Sequence, residues 1–444
     1  MTAGFFSQRR EDRSMTEPTF GVVFNRVDDD PRPVIAFDLS VAALVLPTDD
    51  ADAIAFPLNS PVDMNSSDGA LLGKLGDGDL PKAIELIDAQ LGDFQSAARL
   101  VVVRVAKGAT DAETIANIVG SPSATAGDGQ IGTGLHALKR AGVQLGVIPR
   151  LIGTPGYTHQ RDTGGAQSSA NAICAALPSI CSALLAHAVV SSDGGDLTEI
   201  TDWRETLNSG RLIPNADWVK VMDGTVEEER DGAAAAIGAM IRTDFQHRGY
   251  PFWTAANQPI YGVTGLKKYR PFSLTDGATE GQEALATRMG IFQRGQIGVE
   301  TAAADSGFVW DGVYNADVDP LWWFYNKSRG RDWAHLALLK SIRRRIGKQN
   351  VGVRSVEQVL EDAIVIGTEM VQNGGSLGLK VSFDGPTNSV ENLRLGKFRI
   401  SFANEEPPPI MQVGVDSKPY RKAMEITLQN IIAQSQAMLP IYAP

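Results

Sequence analysis

Three consecutive prolines, Pro407, Pro408 and Pro409, stand directly behind Glu405 and Glu406. Proline fixes φ and lacks an amide hydrogen, so such a run enters neither a helix nor a central strand. The chain must therefore leave the preceding domain here in an extended form. Beyond the prolines lies a short apolar segment, IMQVGV at 410–415, whose apolar residues include Ile410, Met411, Val413 and Val415. The other end is built alike. TFGVVFNRV at 19–27, with Phe20, Val22, Val23 and Phe24, is cut off from the rest of the chain by Asp28, Asp29, Asp30, Pro31 and Pro33. Two apolar ribbons separated from any core are liabilities in a lone molecule. Each becomes an asset if it adds as a strand to the sheet edge of a neighbouring copy, through main-chain hydrogen bonds and alternate side-chain pockets.

Between these ends, 444 residues with 43% hydrophobic content suffice for roughly two to four domains. LVVVRV at 100–105 has the continuous apolar character of a strand buried on both faces. Further strands are expected at 34–46, 143–152, 186–190 and 218–222, and a hairpin within 295–309. Helices are expected from Pro81, which suits a first turn, to Gly92; at 169–185; at 227–247; and from the capping-box pair Asp196 and Glu199 toward Asn208. Strands alternating with helices predict an α/β domain with a partly parallel sheet, within a chain that is α+β overall. In the last third, a helix is expected over 332–346, with Leu338, Leu339, Ile342 and Ile346 on one stripe. Lys340, Arg343, Arg344 and Lys348 fall on the opposite face. A second helix opens at the capping box of Ser355 and Gln358 and closes at Asn373-Gly374. Strict alternation then predicts two strands, 377–383 with Leu377, Leu379, Val381 and Phe383 inward, and 397–403 with Phe398, Ile400 and Phe402 inward.

Chemistry is sparse. The net charge of −11 argues against nonspecific nucleic-acid binding, which needs an excess of Lys and Arg. No apolar run approaches the length of a membrane helix, and the N-terminal residues lack the apolar centre of a secretory signal. Gly127, Gly129 and Gly132 spell a dinucleotide fingerprint, but a loop precedes them where the fingerprint requires a strand. Gly69, Gly73 and Lys74 resemble a phosphate loop one residue short. Asp77 and Asp79 read as a Gly/Asp turn rather than a cation site. The five histidines, His136, His159, His187, His247 and His335, show no metal-ligand spacing; His335, on the apolar stripe, is expected in the core. Cys174 and Cys181 lie about 10 Å apart along a helix, too far for a disulfide, and are expected to be buried and inert. No catalytic residue, cofactor or metal ligand is expected. The Arg343–Arg345 cluster reads either as a solvated face or as a docking face for an acidic partner, and Trp322, Trp323, Phe324 and Tyr325 as core with part of the run open to an interface.

Three segments carry a resemblance: DADAIAFPLNSPV (50–62), TGLHALKRAGVQLGVIPRLIGTPG (133–156) and FVWDGVYNADVDPLWWFYNKSR (308–329). The chain resembles the contractile phage tail sheath family, of temperate myophage and pyocin type, from about residue 20 to 432. It departs at Val313-Tyr314, where the family carries Arg-Thr, and after Asn257, where a stretch has no counterpart. The resemblance implies a structural protein and no enzyme. Subunits of the family form six-membered rings stacked around a tail tube. An N-terminal tail and arm (1–27), an outer α/β domain (28–305, with its first strands assigned either to it or to the inner domain), an inner tube-facing domain (306–405) and a C-terminal arm (406–444) are then expected. Each arm would complete a neighbour's inner sheet, built on Leu379, Val381, Phe383, Phe398, Ile400 and Phe402, and Lys340, Arg343, Arg344 and Lys348 would face the tube. The implied partners are further copies, the tail tube protein, and baseplate and tail terminator proteins, with no direct nucleic-acid contact and no membrane insertion. The implied location is a virion tail assembled in the host bacterial cytoplasm. A phage-derived bacteriocin or injection particle is the close variant, and a nucleotide-binding α/β enzyme is the alternative from another class.

Overall fold

The apolar run expected at 100–105 becomes the strand Arg99–Val105 (β3), wedged between β1 (Ala42–Pro47) and β2 (Pro61–Asn65) in a six-stranded sheet. The sheet continues through β4 (Leu151–Gly153), β5 (His187–Ser191) and β6 (Leu212–Asn215), in the order β2-β3-β1-β4-β5-β6. Only the edge strand β2 runs antiparallel; β3, β1, β4, β5 and β6 are parallel. β1 and β5 are buried along their whole length, as parallel strands covered on both faces must be. The computed structural model describes residues 38–161 and 169–438.

Helices Asp79–Ala89 and Gly232–Gln246 pack on each other and on the central strands. Asp111–Val119, the 3-10 turn Gly134–Arg140 and Ala172–Leu184 form a second group. The β1-to-β3 and β3-to-β4 crossovers run in opposite directions, so right-handed connections place the two groups on opposite faces. Two small antiparallel sheets come next. One is ordered β10-β7-β8, from β7 (Trp218–Asp223), β8 (Val226–Asp231) and β10 (Gly265–Leu266). The other is ordered β11-β12-β9, from β9 (Gln258–Ile260), β11 (Ile291–Arg294) and β12 (Phe308–Asp311).

The chain divides into two compact units, 39–331 with 406–438, and 332–405. The second unit holds the helix Val353–Gln372 and the hairpin of β13 (Leu379–Ser382) and β14 (Ser401–Asn404).

Several expectations need correction. Over 143–152 only the last residues are a strand. Ala141–Gln144 is helical, Val143 is 92% exposed, and Gly146 at φ +71° with Pro149 turns the chain. Over 227–247 the first residues form β8, because Gly224 at φ +59° folds the chain back onto β7; Asp231 then caps the helix behind it. The helix expected at 332–346 begins at Tyr325 and ends at Ile342. Leu339 and Ile346 are 54% and 66% exposed and His335 is also exposed, so the expected stripe is not a buried one. The next helix begins near Val353, where Gly352 N–H donates to Ser355 Oγ at 2.9 Å, rather than at Ser355.

Candidate assembly surfaces

The hairpin of β13 and β14 is the expected receiving sheet. Val381 sits opposite Phe402 and Leu379 opposite Asn404. β13 packs on the helix Val353–Gln372, and the approach is close. A Cβ at Gly367 would stand 2.7 Å from Leu379 Cδ1. Leu379, Val381 and Phe402 are half-buried. Among the described residues neither strand pairs with a third. Phe383 falls just past β13 and is exposed, while Phe398 and Ile400 precede β14, outside the ladder. Phe398 instead lines a small hollow with Ile342 and Val359. Leu377, expected inward, is 71% exposed; its N–H donates to Glu405 C=O, which closes the base of the hairpin.

The C-terminal arm starts from a fixed point. Glu406 is buried and accepts from Arg331 Nε and Nη2 at 2.5 and 2.8 Å, and Asn326 Nδ2 donates to Pro407 C=O at 3.2 Å. Past the prolines the hold ends. Ile410, Met411, Val413 and Val415 are 85%, 48%, 72% and 83% exposed, in a stretch without regular structure. Behind it stands a helix, Arg421–Met438, which is not among the expected elements although Met424, Leu428, Ile431 and Ile432 recur at helical spacing. Phe20, Val22, Val23 and Phe24 of the N-terminal arm lie outside the described residues.

The cations do not share a helix face as expected. Lys340 is on the last turn of Tyr325–Ile342, whereas Arg343, Arg344 and Lys348 lie past its end, all three exposed. They still cluster. Partial burial, and then Arg343 and Arg344, push the Lys340 ammonium below its usual range. Arg345 is removed from the cluster by an ion pair with Asp362.

The crevice outside the C-terminal ends of β1 and β4, where the winding of the sheet reverses, is the place an α/β enzyme would hold its ligand. It measures about 340 Å³ and is lined by Asp79, Asp111, Asp231, Tyr157 and His159, and by Lys82 and Arg230, which are paired with Glu228 and Glu85. Three helices begin there, and helix N-termini attract anions. Here the chain's own carboxylates take that role. Asp79 and Asp111 sit in first turns, and Asp231 accepts from Ala233 N–H at 2.8 Å and Gly156 N–H at 2.6 Å. Tyr157 Oη donates to Asp79 at 2.6 Å, and burial followed by that carboxylate pushes its hydroxyl far up. A phosphate would meet these carboxylates. The Gly127 loop fares no better. Its Asp128 faces inward to Arg140 and Gln144, and Gly127 N–H is spent on Leu58 C=O. Cys174 and Cys181 are buried and not joined in a disulfide, and burial pushes the Cys174 thiol up to about 12. Among the described residues no cluster of His, Cys, Asp and Glu could hold a metal, and no helix is long and apolar enough to cross a membrane. Of the aromatic run, Tyr325 is core and its Oη accepts from Ala255 N–H at 2.7 Å; Trp322, Trp323 and Phe324 are half-buried.

No family model matches the chain. The tail sheath protein of Escherichia phage P2 is 25% identical over 407 residues, which is 89% of this chain and 94% of that protein. The major tail sheath protein of Serratia phage KSP20 is 32% identical over 239 residues, 52% of this chain and 55% of that protein. The chain is a homologue of phage tail sheath proteins. The sheath homologue also shares its fold with two solved assemblies. A chain of the contracted PVC sheath complex, from an extracellular contractile injection system, matches at TM-score 0.63 and 12% identity, over 92% of this chain and 100% of that one. A chain of the anti-feeding prophage baseplate matches at TM-score 0.60 and 14% identity, over 90% and 99%. The α/β fold of the sheath homologue is thus one found in contractile injection systems.

Proposed function

We propose that the chain is the structural subunit of a contractile tail sheath, whose hexameric rings stack helically around a tail tube and shorten to drive it through the target cell envelope. The observation that carries this reading is the match along 94% of the P2 tail sheath protein. The arms supply the linkage. Residues 410–415 stand exposed and without regular structure, and the hairpin of β13 and β14 pairs with no third strand among the described residues. A strand making about five main-chain hydrogen bonds gains roughly 5 kcal/mol before its ordering entropy is counted. The N-terminal arm at 20–24 is assigned the same task. The outer domain is then the large α/β unit, and the inner domain is best taken as 332–405, with Lys340, Arg343, Arg344 and Lys348 toward the tube.

The proposed partners are further copies of the chain, the tail tube, and baseplate and terminator proteins, in a virion tail assembled in the host cytoplasm. The likeness to PVC and the anti-feeding prophage favours a second setting, a phage-derived injection particle. Negative-stain microscopy tests the main reading. The full chain should form striated hollow cylinders or helical polymers, and a chain ending at residue 409 should not. A full-length chain that stays monomeric at high concentration refutes it. Reversing Arg343 and Arg344 to glutamate should weaken tube-templated assembly alone; unchanged tails would reject the tube-facing role.

A further inference from the structure

Two helices carry apolar stripes that are left to solvent. The first is Val353–Gln372, whose buried side is Val359, Ala363, Ile366 and Met370 and which packs on β13. A second stripe runs along its flank. Val353, Leu360, Ile364 and Val371 fall within about 40° of one another at 100° per residue. Val353, Ile364 and Val371 are exposed, and Leu360 is half-buried. The second helix is Arg421–Met438. Every residue from 421 to 436 is exposed, and Met424, Leu428 and Ile431 form a stripe with Ile432 at its margin. A helix of 18 residues that buries none of these side chains is marginal in water and needs a partner to hold it.

Three observations join the two stripes. The first is reach. Residues 416–420 connect the 410–415 segment to the helix and span at most about 18 Å, more than the roughly 10–12 Å diameter of a helix. An arm seated on the hairpin of a neighbouring copy therefore delivers its helix to Val353–Gln372, which packs on that same hairpin. The second is register. Set side by side and parallel, Met424 stands level with Leu360 and Leu428 with Ile364. The third is charge. That register also sets Arg421 level with Glu357, which is exposed at the border of the stripe, with Glu361 one turn further on. The ion pair of Arg421 with Glu425 in its own chain, at 3.5 Å, is exposed and contributes little. An antiparallel setting brings Arg421 instead to the uncharged end at Val371 and Gln372.

We propose that the helix Arg421–Met438 of one copy docks, parallel, on the stripe of Val353, Leu360, Ile364 and Val371 of a second copy. The inference rests on the strand role assigned to 410–415 and adds a second contact to the same neighbour. Main-chain pairing alone specifies register weakly, whereas paired apolar side chains on two helices fix which residue faces which. The two contacts also reinforce each other, because the second forms within copies already joined.

The critical concentration for polymer formation by the full-length chain, read by sedimentation, tests the contact. Ile364→Lys and Leu428→Glu should each raise it by about tenfold or more. Both positions are exposed, so the melting temperature of dispersed subunits should not move. The two substitutions in one chain should recover most of the loss, since the new charges then face each other between copies. Chains with Ile364→Cys and with Leu428→Cys, one of them bearing a mass tag, should give a mixed dimer when assembled together and treated with a short bismaleimide; Cys174 and Cys181 are buried. Single variants that polymerise like wild type, a double variant no better than the singles, or crosslinks only between two copies of the Leu428→Cys chain would each overturn the inference. A chain ending at residue 420 separates it from the strand role. That chain should need about tenfold or more concentration to polymerise, whereas the chain ending at 409 should form no polymer. Full polymerisation of the 420 chain refutes the helix contact alone, and polymerisation of the 409 chain refutes the strand role and the inference with it.

Discussion

Replacing Arg329 with methionine probes the joint that ties the first turns of the helix Tyr325–Ile342 to the α/β unit. Arg329 and Asp244 are each 1% exposed. Nη1 and Nη2 meet the two Asp244 oxygens at 3.1 and 2.5 Å, and Nη2 also donates to Leu39 C=O, at the entrance to β1, at 3.2 Å. Removing one partner of a buried ion pair leaves an uncompensated charge, which costs about 3–5 kcal/mol. The Leu39 carbonyl loses a partner as well, adding about 1 kcal/mol. Arg329→Met should therefore destabilise the chain by about 4–6 kcal/mol, or roughly 8–12 °C in Tm at about 2 °C per kcal/mol. The double variant Arg329→Met with Asp244→Leu removes both charges together and should recover about 3 kcal/mol of that loss. Urea denaturation of dispersed subunits reads both, as a shift of midpoint at constant m. A single variant within about 1 kcal/mol of wild type, or a double variant no more stable than the single, would show that the pair does not carry the joint.

Two other perturbations have defined outcomes. Burial pushes the Asp311 carboxyl up to about 6, with the Asn257 N–H pulling it partly back. The native state therefore holds this proton more tightly than the unfolded chain, and its contribution is full below about pH 4 and lost as pH rises through 6. Asp311→Asn should match wild type near pH 4 and exceed it above pH 7 by up to about 3 kcal/mol in a pH series of urea melts; a gap that widens toward low pH would contradict this. Gly367→Val should push β13 from the helix Val353–Gln372 and destabilise that unit by about 1–3 kcal/mol, while Gly367→Ala should do less, because the Leu379 tip can yield; thermal melts of the two variants rank them.

Features set by neighbours in sequence were legible. The capping box at Asp196 forms as expected, with Glu199 N–H and Asp196 N–H each donating to the other's carboxylate at 2.9 Å. The strand at 100–105 and the helix end at Asn373 also stand close to where pattern places them. β8 could not be read this way. VEEERD is a strand only because β7 pairs with it residue by residue and Lys82, far off in sequence, holds Glu228 at 2.8 Å. The helix Gly232–Gln246 is buried nearly all round, so it carries no clear stripe. Arg343, Arg344 and Lys348 were expected on a helix that stops short of them, since the end at Ile342 has no local signal in the sequence.

Three prolines alone require that the segment behind Glu406 enters neither a helix nor a central strand. Proline's fixed φ and missing N–H act locally, and no fold can cancel them. Where that arm is pinned, through Arg331 on Glu406, depends on long-range packing, as does the pairing of β13 with β14, which take no third strand among the described residues. The same packing brings carboxylates to the three helix ends at the switch of the sheet. Those outcomes depend on which distant strands pair and in what register, and pairing energy is shared between segments that no local pattern links.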